Sequence, residues 1–328
     1  MKIMLFNDYR VGIIKGDGLV DITSVVSNIP HNGIGDLMNG LIGSFDQVKP
    51  RIEKFVESGK TIPIAGVKIR PPLPKPVNIE CMAVNYMEDG TRKQAALINA
   101  FHKSPGCIIG HGETMVLPDI PSTIFEGEAE LALIIGKRGS FIPASKAMEH
   151  IFGYVNFIDG SARGVQPESN SFYQMKSRAT FAPIGPYIVT ADEVKDPHKL
   201  QVRLWVNGVL KQNFNTDDMA HKIPRCIEWV SGIHELEPGD IIATGTNHRG
   251  LSSFQDGDKV ELEVEGMGRL TIAVKDDLKR TWSRETRLER EQRGFTGTTP
   301  QLTGKYAKAW LELVLEVSFH EEIKALRM

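Results

Sequence analysis

Cysteine is scarce. Cys81, Cys107 and Cys226 are the only three in 328 residues, and no two of them share a CxxC spacing, which argues against a disulfide framework or a thiolate zinc site. Long apolar runs are missing too: the densest, Leu131 to Ile135, falls far short of the ~20 residues that a membrane-spanning helix needs. The opening residues, Met1 to Arg10, carry no apolar signal-peptide core. Nor is either charge in excess, because 39 Lys plus Arg stand against 41 Asp plus Glu for a net charge of -2. That balance gives no electrostatic footprint for nucleic acid or an anionic membrane. What is present, 41% hydrophobic and 24% charged residues, suffices for a sizeable core in about two domains, in a chain expected to be soluble and cytoplasmic.

The clearest linker is Pro71-Pro72-Leu73-Pro74-Lys75-Pro76, since each proline pushes its predecessor into extended geometry. It divides a small α+β unit, residues 1–72, with a helical patch at Phe45 to Ser58, from a β-rich domain spanning 73–282. Short β-type runs fill the latter: Ile79 to Val84, Glu130 to Ile135, Tyr187 to Thr190, Leu200 to Val206, Ile241 to Thr244, Val260 to Val264 and Leu270 to Val274. Their spacing favours a mainly β fold over a doubly wound one. Val206-Asn207-Gly208-Val209 predicts a hairpin, because Asn-Gly accepts the positive φ of a type I′ turn. Beyond Trp282 the extension 283–328 reads as a solvated helix of alternating charge, a Gly/Thr-rich loop, and an apolar-rich terminal helix from Ala307 to Leu326.

Glu128 and Glu130 carry the first chemical signal. In a strand, residues two apart share a face, so the two carboxylates stand side by side and repel unless neutralised. An exposed acidic edge strand is one explanation; a hard divalent cation such as Mg²⁺ or Mn²⁺, which takes oxygen ligands, is the other. The continuation Leu-Ala-Leu-Ile-Ile favours a central, buried strand and with it the second. Asp159, ending another apolar stretch, is on its own an ordinary turn former or helix cap.

The order of motifs is more specific than any one of them. Asn85-Tyr86, Glu128 to Leu131 with Ile135-Gly136-Lys137, Gly153-Tyr154 with Asp159 and Ser161-Ala162-Arg163, Lys176-Ser177, Ala182 to Pro186, Val206-Asn207-Gly208, Leu236 to Asp240 and Thr244-Gly245-Thr246 together resemble the fumarylacetoacetate hydrolase family over about residues 78 to 276. The resemblance implies a mixed β-sandwich roll preceded by a small N-terminal α+β domain, usually a homodimer. It implies Glu128, Glu130 and Asp159 as ligands of one Mg²⁺ or Mn²⁺, and a 2-oxo or β-diketo acid as substrate. Lys176 matches the family's active-site lysine. Arg163, Gln166, Tyr86 and Thr246 match substrate-binding positions, with a guanidinium fork suited to a carboxylate.

One departure bears on mechanism. Family members that hydrolyse acylpyruvates carry Asn-Tyr-x-x-His-x-x-Glu, whereas Asp89 and Arg92 stand at those two places here. Asp89 is one replacement base, though an ordinary Asp with a pKa near ~3.9 is a weak base at neutral pH. His248, in Thr246-Asn247-His248-Arg249, is another, with an exposed loop histidine as the alternative. His102 and His111 read as structural. Hydrolysis of a carbon–carbon bond leads the expectations; isomerase or tautomerase, decarboxylase or hydratase-lyase chemistry on the same enolate, and a non-catalytic binding protein, remain open.

Overall fold

Two long antiparallel strands, Ile124–Ile135 and Ile151–Arg163, form the spine, and almost every residue of both is buried. The computed structural model describes residues 1–120, 122–165, 172–295 and 302–303. Gln166 and the apolar segment 307–326 lie outside them. Leu131, Leu133 and Ile135 pack on one side of the sheet, against Val202, Leu204, Val260 and Leu262 of a second sheet. Ala132 and Ile134 pack on the other side, against Leu41, Ile42 and Phe45. A strand covered on both faces has no wet side, which is why the apolar run of this strand is unbroken.

The spine belongs to a twelve-stranded mixed sheet, and a five-stranded sheet faces it; the fold is the mainly β, α+β roll expected from the sequence. The smaller sheet contains the predicted hairpin. Val206 pairs with Val209, and Asn207 and Gly208 between them take φ values of 52° and 79°. The helix expected over Phe45–Ser58 is present. Lys2–Phe6 pairs antiparallel with Ala182–Thr190 through Lys2↔Val189 and Ile3↔Ile188, so the first strands extend the large sheet and their residues share a core with Ile79, Val155 and Ile241.

The segment after Trp282 differs from the solvated helix expected there. Helix Arg287–Gln292 is closed by a capping box between Thr286 and Glu289, but Arg290 is buried and Arg287 reaches inward to Glu126 at 2.7 Å. A buried carboxylate needs a counter-charge, and this helix supplies it. Alternating charge along a sequence shows which side chains can be wet, not which of them an acidic neighbour draws inside.

Candidate metal and active site

Register brings the carboxylates together. Glu128 lies directly opposite Asp159 in the antiparallel pairing, and the two-residue period of the strand puts Glu126 and Glu130 on the same face. Oxygens of Glu128, Glu130 and Asp159 lie within 4.8 Å of one another, and all three residues are buried. Glu130 is held by Gly245, whose N–H donates to Oε2 at 2.7 Å. Gly245 sits at φ 88°, and a Cβ there would come within 3.0 Å of Asn85, so the turn that aims this N–H requires glycine.

Four cations line the cluster. Lys176, at the end of helix Phe172–Lys176, places Nζ 2.5 Å from Asp159 and 2.9 Å from Glu128. Lys103 donates to Asp159 Oδ1 at 2.6 Å, to the Gly160 carbonyl at 3.1 Å and to the Lys176 carbonyl. Arg163 donates to Glu126 at 3.0 Å and to Glu128, and Arg287 donates to the same Glu126 oxygen, Oε2, at 2.7 Å.

These neighbours divide the carboxylates. Burial raises the pKa of Glu128, but Lys176 and Arg163 more than offset it and hold the group well below the usual range. Burial likewise opposes ionisation of Glu126, and Arg287 and Arg163 bring it below its ordinary value. Glu130 goes the other way: burial, then the Asp159 and Glu128 charges, push it well above the carboxylate range. The Lys176 ammonium is stabilised against its burial by Asp159 and Glu128. An anionic oxygen pair facing a carboxyl that ionises only with difficulty is a setting that a divalent cation relieves, and an all-oxygen donor set suits a hard ion.

The rim is built from two distant segments. In the loop after Ile79–Met82, Val84, Glu88 and Asp89 all have left-handed backbones, with φ of 53°, 56° and 54°. Such values in non-glycine residues are uncommon and store strain where the surrounding structure enforces them. Here a turn closed by Gly90 N–H on the Met87 carbonyl, 3.1 Å, carries Glu88 toward His248. The Glu88 carboxylate accepts from the His248 backbone N–H at 2.8 Å and lies 2.7 Å from Nδ1.

The structure brings Glu128, Glu130, Asp159, Lys176 and Arg163 together, with His248 at the rim. Asp89 is half-exposed and faces Arg249 at 3.5 Å. The Thr246 hydroxyl donates to the Ala129 carbonyl at 2.7 Å and accepts from Gln212 at 2.9 Å, so it braces the strand Ile124–Ile135. Tyr86 is fully buried, edge-on to Phe214 at 5.0 Å, and Asn85 ties its loop to the Thr244 and His221 carbonyls. Sequence reasoning missed Glu88, Lys103, Glu126 and Arg287. Glu126 was within reach of the alternation rule that found Glu128 and Glu130, whereas the other three meet the site only through long-range packing.

Known proteins resemble this chain over most of its length. A family model described as fumarylacetoacetate (FAA) hydrolase C-terminal matches residues 78–275. A maleylpyruvate hydrolase of Aquipseudomonas alcaligenes is 32% identical over 291 residues, covering 84% of this chain and 99% of the relative. An oxaloacetate tautomerase of Bacillus subtilis is 34% identical over 223 residues, covering 64% and 74%. The crystal structure of a Sphingobium maleylpyruvate hydrolase in complex with manganese(II) and pyruvate is similar at a TM-score of 0.76 and 34% identity, over 84% of this chain and 99% of that one.

Proposed function

This chain belongs to the fumarylacetoacetate hydrolase family, and from that premise we propose that it hydrolyses a carbon–carbon bond in an acylpyruvate-like 2-oxo acid, with Mg²⁺ or Mn²⁺ held by Glu128, Glu130 and Asp159. The observation that carries the reading is the Glu88–His248 pair beside these carboxylates. It restores an imidazole–carboxylate dyad that the sequence lacks at positions 89 and 92. The two maleylpyruvate hydrolases, each matched over nearly its whole length, support the same choice.

A bound divalent ion supplies Lewis-acid stabilisation of negative charge on a 2-oxo acid's oxygens. The remaining work falls to side chains. His248 is the general base: with Nδ1 held by Glu88 it presents Nε2 to take a proton from water, and the carboxylate favours the imidazolium that forms. Water then adds to the acyl carbonyl, the carbon–carbon bond breaks, and the electron pair leaves on the pyruvate fragment as its enolate. The imidazolium returns its proton there. Lys176 places a fixed positive charge over the reacting oxygens. Arg163 and Lys103 hold Glu128 and Asp159 in place. Asp89, paired with Arg249, is left at the mouth as a polar contact for substrate.

Relatives named as oxaloacetate tautomerases, at 33–34% identity, support a second reading: the same base moving a proton between carbon and oxygen without adding water. Pyruvate release and enol absorbance, followed for acylpyruvates and for oxaloacetate with Mg²⁺, with Mn²⁺ and with EDTA, separate the two. Metal-dependent pyruvate release from an acylpyruvate is the expected result. Enol decay on oxaloacetate with no pyruvate from any acylpyruvate would replace hydrolysis by tautomerisation.

A further inference from the structure

A second set of metal-type ligands lies at the edge of the large sheet, apart from the carboxylate cluster. Glu80, in strand Ile79–Met82, is directly opposite His102 in strand Ala100–His102, and His234 follows helix Ile223–Ser231. Glu80 is only 4% exposed, yet neither carboxylate oxygen makes a hydrogen bond to any described residue. A buried carboxylate left in that state is costly. Two imidazoles converge on it: His234 Nε2 lies 3.1 Å from Oε1 and His102 Nδ1 3.5 Å from the same oxygen. One ligand atom from each residue falls within a 4.8 Å sphere of separations.

The tautomer of His234 sharpens the point. Its Nδ1 is 2.9 Å from the Glu235 carbonyl oxygen, and a carbonyl only accepts, so Nδ1 carries the proton. Nε2, the nitrogen not used in that bond, faces the Glu80 carboxyl, and it too has no hydrogen-bond partner among the described residues. A ring nitrogen fixed through its other nitrogen by a backbone carbonyl is the usual support of a metal-bound histidine. Ligand atoms bonded at about 2.0–2.1 Å to a tetrahedral ion stand about 3.3 Å apart, and the observed 3.1 and 3.5 Å lie on either side of that separation.

We propose that Glu80, His102 and His234 form a second metal site, for a Zn²⁺-type ion, open to solvent at its fourth position. Two imidazoles and one carboxylate select a borderline ion over Mg²⁺, which prefers oxygen alone. Access is through His102, which is largely exposed. Beside it opens a cleft of about 330 Å³ lined by Asn78, Ile79, Lys103, Ser104 and Tyr173. An ion here staples a short edge strand to its neighbour and to the loop beyond Ser231. Because Lys103 follows His102 directly, the staple also steadies a lysine that holds Asp159.

The test is a Co²⁺ titration of the full chain with Mg²⁺ in excess, read by visible absorption and by metal content after desalting. Expected are one added Co²⁺ per chain with the bands of a tetrahedral nitrogen–oxygen site, and its displacement by Zn²⁺. His102→Ala, on an exposed side chain, and His234→Ala each weaken uptake at least about tenfold, the loss that removal of even a supporting partner causes. Glu128→Gln leaves it intact. The proposal is overturned if Co²⁺ adds no equivalent to the Mg²⁺-loaded protein, if both histidine variants bind as the wild type does, or if Glu128→Gln abolishes the signal.

Discussion

Glu88 binds His248 twice, through the backbone N–H at 2.8 Å and through Nδ1 at 2.7 Å. One carboxylate thus fixes both the position of the residue and the orientation of its ring. His248→Ala is expected to lower kcat by roughly 10²–10⁴-fold, the usual worth of a general base. Glu88→Gln should lower kcat by less and leave KM and Mg²⁺ affinity near wild type, as befits a positioning residue. Steady-state kinetics on the preferred acylpyruvate checks both; an unchanged kcat in His248→Ala would move the base elsewhere.

Metal removal should expose the strain within the cluster. The folded-state pKa of Glu130 is raised by burial and by Asp159 and Glu128, so its contribution to stability is complete below the ordinary carboxylate pKa and is lost as pH rises through the elevated value. In EDTA, then, Glu130→Gln should melt above the wild type, with the gap widening from acid to neutral pH. Added Mg²⁺ should stabilise the wild type and leave the variant unmoved. Differential scanning fluorimetry over pH 5–8 reads both trends.

Lys103 spends its ammonium on three acceptors, Asp159 Oδ1 and the carbonyls of Gly160 and Lys176, and neither it nor Asp159 is exposed. Lys103→Met leaves a buried carboxylate short of a partner, for which about 3–5 kcal/mol of lost stability is expected. Urea denaturation measures it. A loss under 1 kcal/mol would mean that water or Lys176 takes over.

Arg287→Ala should cost less, about 1.5–3 kcal/mol, the range for a hydrogen bond to a charged group, because Arg163 still neutralises Glu126. Removing residues 283–328 should cost at least as much, since it also takes away Arg284, which pairs with buried Asp258 at 2.6 Å. Chemical denaturation of the two variants side by side provides the comparison.

The parts legible in the sequence were those governed by local periodicity. Alternation placed Glu128 and Glu130 on one face, and Asn-Gly placed a hairpin. Motif order then assigned Asp159, but only pairing register explains why it meets Glu128, and register joins residues 31 positions apart. The dyad was harder still. His248 was legible as a candidate base, but its partner was not, because the carboxylate comes from position 88 and the imidazole from a turn 160 residues later. Only a left-handed bend at Glu88 turns that side chain toward it, and no residue type in Met87-Glu88-Asp89 announces such a bend. Arg287 was hidden for the opposite reason: its neighbourhood looks like a solvated face, and only the buried Glu126 makes it otherwise.

The pairing of Lys2–Phe6 with Ala182–Thr190 has a temporal side. Strand Lys2–Phe6 has its partner among residues made well over a hundred positions later. At about 5–20 residues per second, it waits on the order of ten seconds or more with its apolar face uncovered. During synthesis that face can close only against its local neighbours, the strand Arg10–Lys15 and the helix Phe45–Ser58. Those local contacts form the early unit, and contacts as far apart in sequence as Lys2↔Val189 make closure of the sheet slow. Variants that weaken that early unit should be recognised by their yield of soluble protein before any change in catalysis is seen.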